Sequence, residues 1–215
     1  MPDLDLERRH GHPGSLVAGL DEAGRGPLAG PVCAAAVILP ARLQRGWRQL
    51  DDSKKLPAER REAFAQSLQR HALVGIGWAS VAEIDRLNIL HASLLAMCRA
   101  IEALPCRPVM ALVDGNRCPP DLPCDSLPVV GGDGLSLSIA AASIVAKAAR
   151  DAAMARLHAD YPAYGWITNQ GYGTAAHCAA LDRHGPTPHH RRSFSPVARG
   201  LAKRLSTELD AVGGI

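Results

Sequence analysis

The chain is 215 residues long, with 24 Lys and Arg against 21 Asp and Glu, a formal net charge of +3 and 47% hydrophobic residues. That length can bury roughly 70% of the unfolded surface around one core, and the composition excludes a wholly disordered, collagen-like or coiled-coil chain. No apolar run reaches the ~18 residues of a membrane span, and six scattered cysteines without a C-x-x-C pair argue against a zinc site or a disulfide framework.

Residues 1–14 mix acids, arginines and histidines without an apolar stretch, so a flexible polar tail is expected, not a signal peptide, and the expected address is the cytoplasm. Leu16 to Asp21 and Val32 to Leu39 read as neighbouring strands divided by a Gly/Pro-rich connection. Pro57 to His71 reads as a helix, with proline in the first turn, early acids at Glu59 and Glu62, and Phe64 and Leu68 four apart. Leu73 to Val81 is a third strand. Leu90, Leu94, Met97 and Ile101 give helical spacing to Asn88–Leu104, which stops before Pro105. Val109 to Val113 is a buried strand running into Asp114. The proline-rich stretch Arg117 to Pro128 is expected to be loop, and the Ala-rich Ser136 to His158 a helix. Further helices are expected over Ala175 to His184 and Pro196 to Leu209. Strands alternating with helices imply an α/β or α+β domain with a mixed sheet, extended from about residue 166 by C-terminal helices.

Charge is unevenly distributed. Arg183 to Thr207 holds six Lys and Arg and no acid, against 18 basic and 21 acidic residues elsewhere. A phosphate-bearing partner would suit that segment, as would a solvated face. Four acids stand where strands end or loops begin: Asp21 and Glu22 close the first strand, Asp114 closes the later one, and Asp133 lies in Gly-Gly-Asp-Gly. If the two strands run side by side in one direction, Asp21 and Asp114 reach one edge. Such a cluster repels itself unless a cation sits in it, and hard divalent ions prefer all-oxygen ligands. Asp21 and Glu22 would point to opposite faces of a regular strand, so sharing a site requires fraying or a bulge, which Gly24 and Gly26 permit. Taken singly, Asp133 also suits a turn or a helix N-cap, and Asp114 a plain turn.

Gly24-Arg25-Gly26-Pro27-Leu28-Ala29-Gly30 invites a dinucleotide-binding reading that fails in detail. The third glycine falls one residue late, Pro27 lacks an amide, and two acids precede the loop where a pyrophosphate would sit. Neither a P-loop nor a G-x-S-x-G elbow occurs, and Ala23 stands where an aspartyl-phosphate phosphatase needs its second Asp.

Six blocks together resemble the ribonuclease HII family, the bacterial type 2 ribonucleases H. They are Gly19-Leu-Asp-Glu-Ala-Gly-Arg-Gly-Pro27, Asp52-Ser-Lys-Lys-Leu56, Leu112-Val-Asp-Gly-Asn116, Ile139-Ala-Ala-Ala-Ser-Ile-Val-Ala-Lys147 with Arg150-Asp151, Gly171-Tyr-Gly-Thr174 with His177, and His190-Arg-Arg-Ser-Phe194. The resemblance spans about residues 15–205, leaving 206–215 as a tail. It implies a ribonuclease H-like mixed sheet flanked by helices. It also implies endonucleolytic cleavage of RNA in RNA/DNA hybrids and 5' of single ribonucleotides embedded in DNA, leaving 3'-hydroxyl and 5'-phosphate ends. The family's metal-binding carboxylates fall on Asp21, Glu22, Asp114 and Asp133, for two Mg2+ or Mn2+ ions about 4 Å apart. Its 2'-hydroxyl reader falls on Gly24, Arg25, Gly26 and Tyr172. Lys54, Lys55, Lys147, Arg191 and Arg192 are candidate phosphate contacts, while His177 and His190 suit substrate binding or plain packing. Gly131 departs from the family's usual lysine, so one positive charge is missing. A monomer is expected. A hybrid-binding module that does not cut, and a junction resolvase of the same fold, are the alternatives. An acidic cluster is a liability on a purely phosphate-binding surface, and a resolvase would not call for the glycine loop with Tyr172.

Overall fold

A computed structural model of the chain describes residues 1–51, 53 and 56–202. In chain order the elements are α1 (Asp5–Arg9), β1 (Val17–Ala23), β2 (Val32–Ile38), α2 (Ala58–His71), β3 (Leu73–Ala79), α3 (Val81–Glu102), β4 (Met110–Asp114), β5 (Asp125–Val129), α4 (Leu137–Asp160), α5 (Trp166–Asn169) and α6 (Ala175–His184), followed by a helical stretch over 195–202. The five strands form one mixed sheet in the order β3-β2-β1-β4-β5. β1, β2 and β3 meander antiparallel, whereas β4 and β5 run parallel to β1.

The sheet is covered on both faces, which is why β2 reads Val-Cys-Ala-Ala-Ala-Val-Ile and is buried throughout. Alternate residues divide between two cores: Cys33, Ala35 and Val37 pack with α2 and α4, while Ala34, Ala36 and Ile38 pack with α3. The small side chains let helices lie close. At Gly19 of β1 the approach is closer still, since a Cβ there would sit 2.1 Å from the backbone of Ser138 in α4. No helix of the described residues is long and apolar enough to cross a membrane.

Three local expectations are corrected. Residues 1–14 are not a free tail among the described residues: Leu4 and Glu7 are buried, and Asp3 bridges Ser136. The proline-rich stretch contains strand β5, whose Pro128 is tolerated because β5 is the sheet's edge. The helix expected from Asn88 begins earlier, at Val81, behind a capping box in which Ser80 accepts from the Glu83 amide and the Glu83 side chain accepts from the Ser80 amide. Asn88 itself is non-helical (φ 67°), and its carboxamide oxygen accepts from the Leu90 and His91 amides, so it restarts the helix. The C-terminal part of the helix expected over 196–209, and the 206–215 tail, lie outside the described residues.

Candidate active site

The parallel β1–β4 ladder ends at the pair Leu20–Val113. The next residues, Asp21 and Asp114, therefore emerge together at the C-terminal edge of the sheet. β1 meanwhile continues in regular register with β2, Asp21 opposite Ala35 and Glu22 opposite Ala34. The expected bulge is thus unnecessary. Because β4 has stopped, the edge is open, and Asp21 on the α4 side and Glu22 on the α3 side both line one cleft of about 400 Å³ with Asp114 and Asp133. Asp133 sits on a single 3-10 turn, Gly132–Gly134, whose Gly132 amide donates to Asp114 Oδ1 at 2.7 Å. The N-cap of α4 is Ser136, not Asp133.

Burial, then Glu22, then Asp114 push the Asp21 carboxyl well above the ordinary carboxylate range. Glu22 is raised by burial and held back by Arg25, whose guanidinium lies 3.0 Å from it. Among the described residues no three acidic, His or Cys side chains converge as a ready-made cage for one ion. The four acids instead line a shared cleft, so a bound ion would take part of its shell from water or substrate oxygen. That all-oxygen, partly open donor set suits hard divalent cations.

The glycine loop is held from behind by two buried arginines. Arg191 is fully buried and donates to the carbonyls of Gly24, Arg25, Gly30 and Pro31 at 2.6–3.4 Å. Arg150 of α4 donates to Ala29, Pro31 and Gln170 at 3.1–3.2 Å. Neither forms an ion pair among the described residues. Gly24 has φ +97°, and a Cβ there would sit 1.9 Å from Arg150 Nε, so only glycine fits between loop and guanidinium. With its carbonyls turned back onto cations, the loop borders the cleft beside Tyr172, whose half-exposed ring lies over Gly26. Arg191 is therefore corrected from a phosphate contact to the clamp of this loop.

Lys147 lines the cleft one helical turn from Ser143 and pairs with Asp151. Ser143 lines the cleft with Asp21 and offsets part of the rise that burial imposes on its carboxyl, and its hydroxyl lies 3.0 Å from that of Ser53 in the Asp-Ser-Lys-Lys block. The sequence reading missed Ser53 and Ser143 as site residues. The signal was present in Ser143, a lone hydroxyl in an Ala/Ile run four residues before Lys147. Lys54 and Lys55 lie outside the described residues. Arg192 is exposed and is not among the residues lining the cleft; its backbone amide donates to Asp85 of α3.

His177 and His190 are buried and bonded into the fold. His177 Nδ1–H donates to the Tyr172 carbonyl at 2.8 Å, leaving Nε2 to accept from Trp166 and from His190 Nε2–H, each at 3.1 Å. His190 Nδ1 then accepts from the Thr187 amide. This order works only with both rings neutral, and burial lowers both, His190 to about 3 with help from His177 and His189. Below pH 6.5 the unfolded chain takes protons that the folded one refuses. The contribution of His190 is thus complete above pH 6.5 and is lost as pH falls toward 3, by up to about 1.4 kcal/mol per pH unit, and His177 acts in the same direction. Thermal melts of wild type and His190→Phe between pH 5 and 7.5 should show the shallower pH slope in the variant. Equal slopes would mean the rings titrate freely.

An open-edged mixed sheet with acids at the ends of two parallel strands is a ribonuclease H-like architecture. The chain's fold is similar to that of ribonuclease H2 from Pyrococcus horikoshii (TM-score 0.68, 23% identity, 87% of this chain and 97% of that one). It is likewise similar to Bst-RNase HIII in complex with Mn2+ (TM-score 0.70, 19% identity, 90% and 71%). At the sequence level the ribonuclease HII model matches residues 18–197. The ribonuclease HII of Paramagnetospirillum magneticum is 61% identical over 201 residues, 93% of this chain and 98% of that protein. The chain belongs to the ribonuclease HII family, and it is accordingly a divalent-metal-dependent ribonuclease H endonuclease acting on nucleic acid.

Proposed function

We propose that the chain cuts the RNA strand of RNA/DNA hybrids and also nicks duplex DNA on the 5' side of a single embedded ribonucleotide, leaving 3'-hydroxyl and 5'-phosphate ends. We read it as a cytoplasmic monomer. Asp21, Glu22, Asp114 and Asp133 would hold two Mn2+ or Mg2+ ions. When bound, such ions activate a water and stabilise the leaving 3'-oxygen. The protein's own part is placement. The Glu22 amide orients the Asp21 carboxylate, and Ser143 stands beside it in the cleft. The Gly24–Gly26 backbone and Tyr172 would meet the sugar, and Lys147 would face a phosphate. The observation that carries the reading is that one cleft contains both the acids and the glycine loop with Tyr172. A 2'-hydroxyl is what separates RNA from DNA at such a site, and a reader built on close backbone approach needs only one.

Three duplexes, each with and without chelator, test this: all-DNA, DNA with one ribonucleotide, and a long RNA/DNA hybrid. Metal-dependent cleavage of the second and third, with the first intact, is expected. Cleavage of the long hybrid alone would remove the sugar-reading role from Tyr172 and the loop. Cleavage of a four-way DNA junction with ribonucleotides ignored would indicate a resolvase, and binding without any nicking a hybrid-binding module.

A further inference from the structure

Glu7 is 1% exposed, yet it lies in a segment whose composition predicts a solvated tail. Its Oε1 accepts from Ser136 Oγ at 2.6 Å and from the Ser138 amide at 2.8 Å. Two backbone bonds run beside these: the Asp3 amide donates to the Leu135 carbonyl at 3.1 Å, and the Leu137 amide to the Asp3 carbonyl at 2.8 Å. These contacts fall on residues 135–138, directly after the Gly132–Gly134 turn that presents Asp133. The Ser136 amide bonds back to the Gly132 carbonyl at 2.8 Å, closing the turn. The turn is thus pinned at its front by Asp114 Oδ1 and at its back by the N-terminal segment.

Fold stability alone is a poor reason for a carboxylate here. Glu7 Oε2 is buried and has no hydrogen-bond partner among the described residues, and a half-satisfied buried carboxylate is costlier than an apolar side chain of similar size. Leu4 and Leu6 already supply apolar packing for the segment, Leu4 in the core cluster that holds Leu137 and Leu6 against the cluster that holds Val17, Leu112, Val129 and Ile139. What Glu7 adds is a fixed acceptor for two donors at the start of α4. Bonds that orient a metal ligand directly typically carry 10-fold or more in metal affinity, and Glu7 acts one step behind them, on the backbone that closes the Asp133 turn.

We propose that Glu7 is a positioning residue that holds the Asp133 turn in its metal-binding place. This rests on the reading of Asp133 as a metal ligand. The test is calorimetric titration of the full chain with Mn2+ alone, in wild type, Glu7→Ala, Glu7→Asp, Glu7→Gln and Asp133→Asn, with amide hydrogen exchange over residues 131–138. Glu7→Ala should weaken Mn2+ binding by up to about 10-fold and raise the Mn2+ concentration for half-maximal nicking by the same factor, with faster exchange at the turn. Glu7→Gln keeps an oxygen that can accept both bonds and should restore wild-type affinity. Glu7→Asp, too short to reach Ser138, should fall between and supplies the comparison should Glu7→Ala not fold. Wild-type Mn2+ affinity in folded Glu7→Ala or Glu7→Asp, even with a lower Tm, would overturn the proposal, as would Glu7→Gln as weak as Glu7→Ala. Unchanged affinity in Asp133→Asn would instead remove the ligand role itself, and the proposal with it.

Discussion

Asp21→Asn is expected to lower cleavage by on the order of 10²-fold or more while duplex binding stays equal or tightens and the folded state gains stability. The three effects follow from one location. Asp21 is 6% exposed, and its neighbours Glu22 and Asp114 both disfavour its ionised form. Removing its charge relieves that repulsion, and asparagine keeps the oxygen that accepts the Glu22 amide at 2.7 Å. It also removes a negative charge from the path of the phosphates. The loss is confined to stabilising charge during the reaction, where a neutral amide is a poor ligand for a hard cation. Asp114→Asn and Asp133→Asn should show the same loss of turnover. Single-turnover cleavage, anisotropy without metal and thermal melts separate the effects. Full activity in any of these variants would exclude that residue from the reaction.

Much of this site was legible because its residues sit at the ends of elements that pattern alone identifies. Two short apolar runs, each closed by an acid, suffice to place Asp21 and Asp114 at one edge once the strands are parallel. What escaped is what depends on where elements stop relative to one another. The meeting of Asp21 with Glu22 needs no bulge, because β4 ends at Asp114, one residue past its last pair with β1, and leaves that edge of β1 open. Strand length is set by packing and not by the two residues concerned. Burial of charge was likewise invisible: Glu7, Arg150 and Arg191 carry the composition of a surface, and only tertiary contacts supply the partners that let them go inside. The proline-rich segment misled for a related reason, since a proline that forbids a central strand is harmless on the outer one.

Arg191 carries the second large expected effect, and it runs opposite to what its place in a basic segment predicts. Were its guanidinium a phosphate contact, Arg191→Ala would leave the melting temperature alone and flatten the dependence of log affinity on log salt by about 0.9. The guanidinium is instead buried against four loop carbonyls and stacked over Phe194 at 5.1 Å. Its removal leaves those carbonyls short of donors, a loss of about 3 kcal/mol, or a fall in Tm of about 6–12 °C for a domain of this size. The salt slope should not change. Turnover on the single-ribonucleotide duplex should fall on the order of 10²-fold, because the Gly24–Gly26 backbone is no longer fixed and small misplacements are costly in rate. Arg191→Lys should recover little, since an ammonium on a flexible stem cannot reproduce a planar fork that serves four acceptors. Arg192→Ala is the matched control, an exposed neighbour whose backbone amide still bonds Asp85. It should keep the Tm and, if it meets a phosphate, flatten the salt slope by about 0.9. A changed slope with an unchanged Tm in Arg191→Ala would put the guanidinium on the substrate and leave the loop to be held by Arg150 alone.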